Sequence, residues 1–140
     1  MKKTAKTLLI LALSVVMFLT SIPVFASEAD TGISPRLSHM GGARFSFNAT
    51  DTGGHVIVSY EGYDDTFVQA TVTVKLEKRY LLFFWKDIDE WSASSTVLWG
   101  YFNHTFTLDG TGKYKATITL EVLGTDGTTD VITDSIESTY

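Results

Sequence analysis

The chain contains no cysteine. That excludes disulfides, thiol catalysis, iron–sulfur clusters and cysteine-ligated zinc, and with them a lipid anchor on an N-terminal cysteine. Proline is almost as scarce, with Pro23 and Pro35 alone. Beyond residue 26 no stretch sustains a 3.6-residue apolar period, so amphipathic helices are not expected there. Basic residues are few and unevenly placed. Of the eleven, Lys2, Lys3 and Lys6 fall within residues 1–26, where no acidic residue lies. The remaining 114 residues therefore hold eight basic side chains against all sixteen acidic ones, a net charge of −8 with His neutral. On average such a chain repels nucleic acid and anionic membranes, and no nucleic-acid partner is expected. A Gly-x-Ser-x-Gly elbow is also missing. Gly41-Gly42 and Gly53-Gly54 lack the strand-to-helix setting and the Lys of a phosphate loop.

What is present begins with a three-part leader. Lys2, Lys3 and Lys6 form a basic start, residues 8–22 an apolar run, and Val24-Phe25-Ala26 an exit with modest side chains at −3 and −1. This is the pattern of a secretory signal peptide over residues 1–26, cleaved between Ala26 and Ser27. A retained anchor is the competing reading, because the run approaches the ~18 residues that a bilayer requires. Pro23 and the acidic Glu28 and Asp30 just beyond favour cleavage. The C-terminal residues are not apolar either, so the expectation is a secreted, extracellular protein with no membrane span after cleavage.

Residues 27–42, with Pro35, Gly32, Gly41 and Gly42 and no apolar period, read as a flexible linker. Residues 43–140 read as one all-β domain. Phe45, Phe47 and Ala49 alternate with polar residues, and Val56, Val58 and Tyr60 follow after the Asp51-Thr52-Gly53-Gly54 turn. Val68, Ala70, Val72, Val74 and Leu76 alternate strictly with Gln69, Thr71, Thr73 and Lys75. One strand or two lie within residues 82–94. Phe102, His104, Phe106 and Leu108 share one face of the next, opposite Tyr101 and Asn103. Tyr114, Ala116, Ile118, Leu120 and Val122 repeat the strict alternation, and a last strand covers residues 130–138. About seven short strands spaced in this way predict an antiparallel sandwich.

The run Asp109-x-x-Gly112-x-Tyr114 leading into an alternating strand resembles the tyrosine corner of immunoglobulin-like sandwiches. In that family a Tyr hydroxyl bonds back to the chain and pins the corner. Ala116 stands where an immunoglobulin domain has its second Cys, and the strand around Val72 lacks the buried Trp. The resemblance therefore implies an immunoglobulin- or fibronectin-like architecture, with Asp109, Gly112 and Tyr114 as its corner. From residue 33 on, the chain also resembles a group of small exported β-sandwich proteins of Gram-positive bacteria. Its carriers are Pro35-Arg36, the basic strand end at Lys75, Lys78 and Arg79, then Trp85, then Trp91-Ser92-Ala93-Ser94. That likeness implies a fold and a location, and no activity.

The sharpest local feature is Leu81-Leu82-Phe83-Phe84-Trp85 between Lys78-Arg79 and Lys86, with Trp91 six residues on. Flat rings in the open stack on sugar faces or anchor a protein partner. The bland reading, preferred here, is core: Phe83 and Trp85 inward, with the charges as gatekeepers against aggregation. Trp99 and Tyr101 lie opposite the face of Phe102 and extend any aromatic surface. The candidate ligand contacts are thus Phe84, Trp85, Trp91, Trp99 and Tyr101. Asp87 with Asp89 and Glu90, Asp64 with Asp65, and Asp126 with Asp130 suggest calcium only weakly, since each supplies too few oxygens. They read as solvated loop charge. His39, His55 and His104 are too scattered for a metal motif, with His39 in the linker. No catalytic residue, metal or cofactor is assigned. The expected function is a non-catalytic exported module that binds a protein or glycan. The alternatives are a small carboxylate-dependent hydrolase and a secreted effector or inhibitor acting on other cells.

Overall fold

Strict alternation of apolar and polar residues puts every second side chain on one face of a strand, so each such strand must find a second layer. The computed structural model describes residues 37–140. The leader, its cleavage site at Ala26 and Ser27, and most of the linker lie outside the described residues. Seven strands form: β1 (Met40–Thr50), β2 (Gly53–Gly62), β3 (Phe67–Tyr80), β4 (Phe84–Ser95), β5 (Trp99–Phe106), β6 (Lys113–Gly124) and β7 (Thr129–Thr139). They make two antiparallel sheets, ordered β1-β2-β5 and β4-β3-β6-β7. Three hairpins, β1–β2, β3–β4 and β6–β7, supply the sequential pairs, and the other three connections cross between sheets.

The core is where the alternation said it would be. Val56, Val58 and Tyr60 from β2 meet Ala70, Val72, Val74 and Leu76 from β3, with Tyr114, Ala116, Ile118, Leu120 and Val122 from β6, all buried. Each Val, Leu or Ile so placed contributes on the order of 1.5–3 kcal/mol against exposure. Val68 departs from the pattern and is exposed. A register shift between Phe67 and Gln69 where β3 meets β6 breaks the parity there. One open side of the sandwich is closed by Trp91, whose ring stacks on His104 at 4.5 Å and meets Phe102 edge-on at 6.5 Å. On the other side, Ser138 accepts the Ala49 N–H through its Oγ at 3.0 Å.

The turn before β6 is held by its own residues. The Tyr114 hydroxyl, on a fully buried ring, donates to the Gly110 carbonyl at 2.6 Å. Gly112 takes φ +148°, which an L side chain rarely adopts. Asp109 offers its carbonyl to the Lys78 ammonium.

Two sequence expectations are corrected. The stretch read as linker up to residue 42 enters the fold earlier: β1 starts at Met40, and His39 and Met40 are buried. The His39 ring lies against Gly124, where a Cβ would stand 2.2 Å away. Its Nε2 is 2.8 Å from Thr128 Oγ1, and its backbone N–H donates to Asp130 at 2.6 Å. An anchor without an apolar period looks like a linker in sequence. The second correction concerns residues 81–85. Phe83 is 81% exposed and Leu82 72%, while Trp85 lies half-buried on the outer face of its sheet. The β3–β4 hairpin simply runs past the last core layer at Leu76 and Ile88.

Candidate functional site

The outer face of β1-β2-β5 is built from the side chains that alternation turns away from the core. Cross-strand register places Gly42, Glu61 and Trp99 in one row and Arg44, Ser59 and Tyr101 in the next. Ser46, Ile57 and Asn103 follow, then Asn48, His55 and Thr105. Trp99 is 69% exposed and Tyr101 73%. Being two residues apart on one strand, they stand roughly 7 Å from each other on the same face. Two shallow depressions run side by side over this end. One, of about 500 Å³, is lined by Ser59, Glu61, Trp99, Gly100 and Tyr101 over Tyr60. The other, of about 460 Å³, is lined by Gly42, Ala43, Arg44, Ser59 and Glu61, again over Tyr60.

The rings are exposed, yet their backbone is held from behind. The buried Tyr60 hydroxyl donates to the Val97 carbonyl at 2.8 Å, and the Gly62 N–H donates to the Leu98 carbonyl at 2.7 Å. Those two carbonyls immediately precede Trp99. Tyr60 is itself sandwiched between Phe102 at 5.4 Å and Phe67 at 6.1 Å. A platform fixed this way loses little entropy when it binds.

The five sequence-level candidates separate into four places. Trp99 and Tyr101 share the face just described. Trp91 packs between the sheets and offers no platform. Phe84 lies exposed at the β3–β4 tip, at the other end of the sandwich. Trp85, next to it, sits on the outer face of the four-stranded sheet beneath Lys115 Nζ at 4.5 Å and Arg79 Cζ at 6.0 Å. Asp109, Gly112 and Tyr114 serve the corner. Sequence reasoning missed Arg44, Ser59 and Glu61. Only strand register brings them beside Trp99 and Tyr101, and no local signal could have done so.

Three of the clustered carboxylates, Asp87, Asp126 and Asp130, have partners beyond their chain neighbours. Asp87 pairs with Lys75 at 2.9 Å, and that hydrogen bond is the main cause that raises the Lys75 pKa. Asp126 accepts the Thr128 N–H at 2.9 Å, which lowers its pKa together with the Thr128 hydroxyl. Glu137 is lowered by its contact with Lys113. Asp130 receives the N–H groups of Ser38 and His39. Six of the seven clustered carboxylates, Asp64, Asp65, Asp87, Asp89, Glu90 and Asp126, are exposed all the same, in keeping with solvated charge. Among the described residues no three His, Asp or Glu side chains converge as a metal site. No helix among them is long and apolar enough to cross a membrane.

No protein-family model matches this chain, and no curated protein is similar to it in sequence. Among solved structures it is similar to a family 76 glycoside hydrolase from a bovine Bacteroides thetaiotaomicron strain, at 12% identity and a TM-score of 0.38. That likeness covers 74% of this chain and 20% of the other, and carries no argument about fold or activity.

Proposed function

We propose that the chain is an exported, non-catalytic module of immunoglobulin- or fibronectin-like fold that binds a polysaccharide on the outer face of β1-β2-β5. The observation that carries this reading is the pair Trp99 and Tyr101, presented side by side with Arg44, Ser59 and Glu61 in the adjoining columns. Pyranose rings have apolar faces that stack on aromatic planes, and hydroxyl rims that charged and hydroxyl side chains hydrogen-bond. The two depressions adjoin across β2, which suits an extended chain laid over the sheet better than a compact molecule. The three-plus-four strand division and the Tyr114 corner favour the fold assignment. Export rests on the leader.

The test uses the protein lacking residues 1–26, which keeps all of the described residues. Pull-down on insoluble cellulose, chitin and peptidoglycan, and affinity electrophoresis in xylan and mannan, are the probes. Binding to at least one is expected, weakened roughly thirtyfold by Trp99→Ala, equivalent to about 2 kcal/mol. Retention of full binding by both Trp99→Ala and Tyr101→Ala, or no binding to any probe, would sink the proposal.

A further inference from the structure

The β3–β4 hairpin ends in five consecutive exposed apolar or aromatic residues: Tyr80, Leu81, Leu82, Phe83 and Phe84. An uninterrupted patch of that kind is costly in water and marks an interaction site. The tip extends past Leu76 and Ile88, which pack with the core. Its collar is cationic. Lys78, Arg79 and Lys86 flank it, and none makes an ion pair among the described residues. Six of the seven basic residues in 37–140 belong to β3, β4 or β6, with Arg44 the exception. The net charge of the chain therefore does not describe these three strands, which hold five acidic residues against the six.

Two details of the turn fit transfer out of water. The Arg79 guanidinium donates Nε–H and an NH2 hydrogen to the Leu82 carbonyl, at 2.9 and 2.5 Å. A turn carbonyl satisfied in this way is cheaper to desolvate. Leu81 holds φ +57°, a conformation for which glycine is the unstrained choice. A leucine there gives up on the order of 1 kcal/mol to keep an apolar side chain at the tip.

We propose that the β3–β4 hairpin inserts into the interface of an anionic lipid bilayer. Leu82, Phe83 and Phe84 enter the acyl boundary, and Tyr80 and Trp85 sit at headgroup level. Lys78, Arg79 and Lys86 meet the lipid phosphates. Aromatic rings and long cations take these depths for the same physical reasons in other membrane-surface proteins. Insertion by this end leaves the Trp99 and Tyr101 face at the far end of the sandwich, free for a second ligand.

The experiment is co-sedimentation of the protein lacking residues 1–26 with vesicles of phosphatidylglycerol and phosphatidylcholine, against phosphatidylcholine alone. Brominated acyl chains report insertion by quenching Trp85 emission. Binding to the anionic vesicles is expected, at least tenfold stronger than to neutral ones and weakened by salt. Leu82→Asp with Phe83→Asp should lower it a further tenfold or more with an unchanged melting curve, since neither side chain touches the core. Absence of binding at millimolar anionic lipid overturns the proposal, as does equal binding by the double variant. A soluble dimer that the double variant dissociates, without lipid binding, assigns the tip to a second copy and overturns it too.

Discussion

The outer faces of the two sheets have the same polar alternation in sequence and opposite fates in the structure. On the four-stranded sheet the side chains satisfy one another. Thr71 pairs with Ser94 at 2.8 Å, Thr73 with Ser92 at 3.3 Å, and Thr117 with Ser135 and Thr119 with Thr133 at 3.1 Å each. Below this ladder Lys75–Asp87, Lys115–Glu77 and Lys113–Glu137 form ion pairs, and Trp85 lies under Lys115. Among the described residues the three-stranded face has side-chain contacts of this kind only at one end, among Thr50, Thr52, His55 and Thr105 and from Ser138 to Asn48. At its other end Trp99, Tyr101, Arg44 and Glu61 are exposed and find no side-chain partner among the described residues. A face that has spent its hydrogen bonds internally has little to offer a ligand. A face that has not is available, and that contrast is why the proposed binding site lies on the smaller sheet.

The contrast can be broken most sharply by setting its scale with Trp91. Trp91→Ala removes the ring that closes the gap beside His104 and should cost about 3 kcal/mol in urea denaturation. Trp99→Ala, eight residues on, should stay within about 0.5 kcal/mol of the parent while losing the sugar. Equal losses would mean that the open face is structural. Between these lies Trp85→Ala. Loss of its contacts with Lys115 and Arg79 should cost under about 1 kcal/mol, but more than Trp99→Ala. A Trp85 variant as neutral as Trp99→Ala would show that the larger sheet's face is not closed in solution.

The smallest effect is one of pH. Glu137 is depressed by Lys113, so its share of stability is present above the ordinary carboxylate pKa and lost as pH falls through the lowered value. Lys75 is raised by Asp87, so its share is present below the ordinary lysine pKa and lost as pH rises through the raised value. Melting temperature against pH should therefore fall at both extremes, with Lys113→Gln flattening the acid limb only. Both groups are exposed, and the change is small because solvent screens it. Superimposable acid limbs for the two proteins would remove the Lys113–Glu137 pair from the account.

Strand positions were legible because the period of two is a local property of the chain. The runs from Ala70 to Leu76 and from Tyr114 to Val122 alternate without error, and all their apolar members are buried. The Tyr114 turn was expected from its resemblance to a known corner motif, which is itself local, since the acceptor Gly110 is four residues away. Residues 81–85 were not. A run of large apolar residues states that something must cover them, but not whether the opposite sheet reaches that far. Nor was His39, whose partners Asp126, Thr128 and Asp130 are some ninety residues distant.

Composition and periodicity alone determined an all-β chain without disulfides and the inward residues of its best strands. These follow from bonds and sterics between near neighbours. Tertiary structure decided which of the aromatics became core and which stayed exposed, and which polar face closed upon itself. It also put Arg44, Ser59 and Glu61 next to Trp99 and Tyr101. The physical reason is that strand register and sheet length are set by pairings between distant segments. A residue's exposure therefore depends on where the facing layer ends, which no local window of the chain records.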